Sequence, residues 1–179
     1  MSDHPRYRRE WVNEPAVRAI WAPLRHPRHP LNKLRDELPD AQGPVYWAGM
    51  TPAQLAALLE TAPWERDRGY NKRPLHRWFL DLADAFPEVT LHGFTRDRFQ
   101  HSIVVEGFDL IAPAERVLES VRWVDRSLAG TGFSRGDDTH LHRIGDPDHA
   151  ADECAYHETG ADAHRPEHAG RWHHWRWWD

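Results

Sequence analysis

Residues 121–136 read VRWVDRSLAGTGFSRG. An apolar run ends at Asp125 and passes into a stretch carrying Arg126, Gly130, Gly132, Arg135 and Gly136. A carboxylate in that position has two readings. It closes a strand at the surface, or it is a nucleophile able to form a covalent intermediate. Two other apolar runs end in small or polar residues, Ala48-Gly49-Met50 and His92-Gly93-Phe94. In a parallel α/β architecture sites lie at the carboxyl ends of strands, and glycines there let a ligand approach the backbone. On that placement Gly49, Gly93 and Asp125 share one site. Glycines and an aspartate are equally normal where strands pass into loops.

A second group of residues suggests metal chemistry. Eight of the 14 histidines fall between His140 and His174. His140 and His142 are two apart, and Cys154 and His157 form a C-x2-H pair. Zinc takes four nitrogen or sulfur ligands in a tetrahedron, so these two pairs brought together would close a site. The spacing matches no strict zinc signature, and a polar histidine-rich tail is the competing reading. The chain then ends in RWHHWRWWD. Trp172, Trp175, Trp177 and Trp178 beside Arg171 and Arg176 suit base stacking, a partner's groove, a second copy, or packing on the chain's own core. An N-terminal basic cluster, RYRREW with RHPRH, reads as a phosphate contact or a solvated arm.

The elements that must position these groups are partly visible. EPAVRAIWAPL opens a short helix at Pro15, and LNKLRDEL forms another short amphipathic stretch. VYWAGM, bounded by turn residues, reads as a buried strand. TPAQLAALLETA follows as a helix, with Thr51 as N-cap and Pro52 in its first turn. RPLHRWFLDLADAF gives a further helix, EVTLHGF a second strand, and Ser102–Val105 a third apolar run. APAERVLESVRWV starts as a helix at Pro113 and hands over to a last strand near Val121–Val124. Strands alternating with helices imply βα units and a mostly parallel sheet.

Bulk properties bound the rest. The 179 residues fit one domain, and a hydrophobic fraction of 40% supplies one core. The net charge of −5 argues against a generally basic nucleic-acid binder. Lys33 and Lys72 are the only lysines among 23 basic residues, so arginine dominates. Cys154 is the single cysteine, which fits a reducing compartment. The charged start carries no signal peptide, and no apolar stretch reaches membrane-spanning length, so a cytoplasmic protein without membrane contact is expected. No nucleotide-cofactor motif is evident.

The order of motifs resembles the queuine/archaeosine tRNA-guanine transglycosylase family and its DNA-modifying deazapurine relatives. VYWAGM plus its helix is similar to that family's Gly-Gly-Leu strand end. EVTLHGF is similar to the following strand, and VRWVDRSLAGTGFSRG to the last strand, with its nucleophilic aspartate. The resemblance covers about residues 44–136, too few for a closed eight-stranded barrel. It implies a partial TIM-barrel-like fold with Asp125 as nucleophile. Gly49, Met50, His92 and Gly93 would line a base pocket, and Arg135 would sit near phosphate. The family also carries zinc after this last strand, though on a three-cysteine pattern absent here.

The expectation is therefore an α/β fold, partial TIM-barrel-like or a small parallel or mixed sheet with flanking helices. An N-terminal arm (1–43) precedes the α/β core (44–136), and a His/Trp-rich irregular tail (137–179) follows. The expected function is nucleic-acid base modification of transglycosylase type, as a reduced enzyme or accessory subunit. The alternative is a non-catalytic, zinc-stabilised interaction protein that binds its partner, or its own copy, through the tail tryptophans.

Overall fold

The computed structural model describes residues 11–27, 29–38, 43–69, 72–96, 102–136, 138–145 and 166–178. Helices α1 (Pro15–Trp21) and α2 (Pro30–Glu37) lead into strand β1 (Val45–Met50). Helix α3 (Pro52–Thr61) follows at once, because Thr51 closes a full capping box with Gln54 and Pro52 fills the first turn. Then come α4 (His76–Ala85), β2 (Thr90–Arg96), β3 (Ser102–Ala112), α5 (Ala114–Leu128), β4 (Asp138–Arg143) and β5 (Trp172–Trp177).

The strands form one open sheet in the order β1-β2-β3-β5-β4, and every neighbouring pair is antiparallel. The fold is mixed α/β, as expected. The parallel, barrel-like arrangement is not what forms. Only residues 97–101 separate β2 from β3. A parallel crossover needs about a dozen residues or more, so this connection can make only a hairpin.

Two further expectations are corrected. Val121–Val124 is not a strand but part of α5, which runs unbroken to Leu128. Val117, Ser120, Val124 and Leu128 are all buried, and their helical spacing lays one stripe against the sheet. Nor is the chain's end irregular where described. β4 and β5 pair with each other, and β5 pairs with β3 from Gly107↔Trp177 to Ala112↔Trp172.

The two faces of the sheet differ. One face packs against the helices in a single apolar core. There Trp47, Leu91, Ile103, Phe108 and Leu110 meet Leu55, Leu58, Phe79, Leu82, Val117 and Val124. Fully burying one such side chain contributes roughly 2 kcal/mol. Trp178 enters this core from the end of β5, edge-on to Trp78 and Phe79, and its indole N–H donates to the Ser134 carbonyl at 2.9 Å. The other face carries Tyr46, Phe94, Val104, His92, Asp109, His173 and Trp175, none of them in that core.

The outer edge of β1 is closed by a side chain. Asn32 of α2, fully buried, accepts from the Tyr46 N–H at 3.0 Å and donates to the Tyr46 carbonyl at 2.7 Å. It stands in for a neighbouring strand's peptide unit and blunts the edge. No helix among the described residues is long and apolar enough to cross a membrane.

Candidate functional site

The densest chemistry lies on the face away from the helices. Asp109 of β3 is buried and both its oxygens are used. The His92 Nδ1–H donates to Oδ2 at 3.1 Å, and the His173 Nε2–H donates to Oδ1 at 2.8 Å. The carboxylate thus ties β2 to β3 and β3 to β5. Burial pushes the Asp109 carboxyl up. The hydrogen bonds from His173 and His92 and the charges of both rings outweigh burial and hold it well below the usual carboxylate range. The Trp175 ring stacks parallel to His92 at 5.8 Å, His140 meets Trp175 at 5.3 Å, and His142 meets His173 edge-on at 5.0 Å.

Gly107 is where His92 lies down on β3. A Cβ there would run into the His92 ring and the Arg176 carbonyl, so only glycine fits. The same approach brings a bulge, since the β2–β3 register shifts between His92 and Gly93.

The helix face of β5 carries a second polar set. Ser120 gives its proton to the Val117 carbonyl at 2.7 Å and so accepts from His174 Nδ1–H, also at 2.7 Å. Burial, then the Arg176 and His173 charges, lower the His174 pKa to about 3, so the ring is neutral. A serine–histidine pair is the material of nucleophilic catalysis. Here both residues are fully buried, and the serine proton is already spent on the helix backbone. Arg176 donates to the Arg135 carbonyl at 2.9 Å and lies 3.7 Å from Asp125. At the same end of the sheet Arg73 pairs with Glu106 at 3.3 Å, both buried.

Among the described residues, the sequence-derived site residues do not come together in one place. Asp125 sits on α5, half-exposed, on the helix side of the sheet beside Arg176. His92 is mid-strand on the opposite face, tied to Asp109. Gly49 is at a β1 bulge with φ +73°, a conformation that favours glycine. Met50 is fully buried in the core, Gly93 lies against Val104 of β3, and Arg135 contributes its carbonyl to Arg176. Of the zinc residues, His140 and His142 project from β4 towards Trp175 and His173, while Cys154 and His157 lie outside the described residues. Among the described residues no group of three or more His, Cys, Asp or Glu is set to hold a metal. Trp175 and Trp178 are buried within the fold, and only Trp172 of the four is exposed.

Among the described residues a concavity opens to solvent on the helix layer. A groove of about 680 Å3 runs between α3 and α4. Pro52, Ala53, Ala56, Leu80 and Ala83 form its apolar lining. Asp81 and Asp84, one turn apart on α4, face it with Arg66, Asp67 and Arg77. Arg77 is already paired to Asp67 at 2.9 Å.

Comparison with family models, curated proteins and solved structures gives no match for the chain. Sequence reasoning missed Asp109, His173, His174 and Ser120, and it missed the groove. Asp109 had one usable signal: an acidic residue inside the run VVEGFDLI survives burial only with partners.

Proposed function

We propose that the chain is a binding protein that seats a short basic peptide segment in the groove between α3 and α4. The observation that carries this reading is the groove itself. Its volume of about 680 Å3 lies within the range of ligand sites. Its lining of small side chains lets a ligand backbone come close, and its charged groups, three aspartates against two arginines, leave a net negative rim. With Arg77 held by Asp67, the remaining charges are Asp81 and Asp84 against Arg66. Two carboxylates a helical turn apart suit a lysine or arginine side chain, while the alanines take its apolar neighbours. The tail tryptophans are then part of the fold, and partner contact belongs to the helix layer.

The test is fluorescence polarisation with labelled peptides of equal length, basic against acidic. The basic set binds, and Asp81→Asn with Asp84→Asn weakens it by about threefold to tenfold at low salt and less at high salt, as loss of exposed charge pairs does. Ala56→Trp, which fills the groove from an only partly buried position, abolishes binding with the melting temperature retained. Basic peptides that fail to bind, or that bind equally to the filled variant, would overturn the reading.

A further inference from the structure

Strand β5 holds more of the sheet than its own six residues. It is the only strand that pairs with β4 among the described residues, so β4 leaves the sheet if β5 does. Three of its side chains secure β5. His173 reaches Asp109 on one face. On the other, His174 reaches Ser120, and Arg176 reaches Asp125 and the Arg135 carbonyl.

The His174 surroundings favour a neutral ring. Its Nδ1–H is taken by Ser120, and its Nε2 is buried with no hydrogen-bond partner. The edge of Phe108 packs against it at 4.9 Å. A second proton on Nε2 would be a buried donor without an acceptor. The charges around the ring do not rescue it. Arg176 and His173 on its own strand oppose a positive charge, and Asp109 of β3 favours one. From α5 the ring meets neutral Ser120, and β4 sets Leu141 opposite it. β1 and β2 are held separately, through β3 and the apolar core shared with α1, α3 and α4.

We infer that β5 is an acid-released latch: protonation of His174 frees β5 and β4 together, while β1, β2 and β3 stay paired.

The size of the effect follows from linkage. In the released segment His174 titrates near its ordinary value of about 6.5, whereas in the latched state it stays neutral at pH 5. Lowering the pH from 7.5 to 5.0 therefore multiplies the released population about 30-fold through this one residue. Asp109 adds almost nothing in that range, because it stays ionised in both states above about pH 5.

The experiment is residue-resolved hydrogen exchange of the full chain at both pH values, corrected for the intrinsic rate. Amides of β4 and β5 are expected to open about 30-fold more at pH 5.0, and to stay less protected than those of β1 and β2 at both pH values. His174→Gln removes most of that response. Persistence of the response in His174→Gln, or equal protection of all five strands at pH 5.0, would overturn the latch. Should that variant fail to fold, the wild-type His174 ring signal is followed by NMR. A ring that stays neutral through pH 5 in the native protein supports the latch, and one that titrates near the ordinary value overturns it.

Discussion

Asp109→Asn is the sharpest single perturbation of the polar face. In the native protein each carboxylate oxygen accepts from one imidazole, at 3.1 Å from His92 and 2.8 Å from His173. Asparagine keeps the shape but offers one oxygen and one NH2 group. It satisfies one imidazole and sets an N–H against the other, at a site only 5% exposed. Losing one charge-assisted bond and leaving a buried donor unmet costs about 2–3 kcal/mol. With a urea dependence of about 2 kcal/mol per molar, the midpoint falls by about 1–1.5 M at pH 7.5. The pH dependence supplies a second readout. The folded Asp109 titrates below its unfolded value, so its stabilisation is present above about pH 4 and fades as the pH falls through that region. The gap between wild type and Asp109→Asn must therefore narrow in acid. Midpoints within about 0.3 M at pH 7.5 would refute the claim that this carboxylate ties three strands together.

Trp178→Ala removes the last large side chain of the core and its bond to Ser134, and it should cost about 3–5 kcal/mol in thermal or urea unfolding. Asp125→Asn should change stability by less than about 0.5 kcal/mol, since the carboxylate is 47% exposed and 3.7 Å from Arg176. Acid should weaken the whole fold from about pH 6.5 downward. Burial, against its bonds to the Glu65 and Ile103 backbone, lowers His76 to about 4, and His174 is lowered to about 3. Both stay neutral when folded and take a proton when unfolded, so stability is full above the unfolded value and falls as pH drops. Two such groups give a slope of about 2–2.5 kcal/mol per pH unit between roughly pH 6 and 4, readable from urea midpoints at each pH.

The parts of the fold legible in the sequence are those fixed by local chemistry. Thr51-Pro52 with Gln54 writes the start of α3 directly, and the bounded run VYWAGM writes β1. α5 was harder to place. Val121 and Val124 resemble a strand in isolation, but the burial stripe from Val117 to Leu128 belongs to a longer helix, and tertiary packing wins over local preference. A parallel sheet does not form because residues 97–101 are too few for a crossover, a constraint that the alternation of strands and helices does not express. β5 was hidden for a different reason. WHHWRW shows no alternation of apolar and polar residues, because the strand is buried on both faces and packs histidine and arginine inside. Histidines so placed look like metal ligands until their partners, Asp109 and Ser120, are located on distant elements.

The binding claim is tested most directly by adding a basic peptide to isotope-labelled protein and following its backbone amide signals. Saturable shifts confined to α3, α4 and the Arg66–Asp67 turn are expected, with Ala53, Ala56 and Asp84 among the largest. Shifts centred on β4 and β5, or none at millimolar peptide, would contradict it.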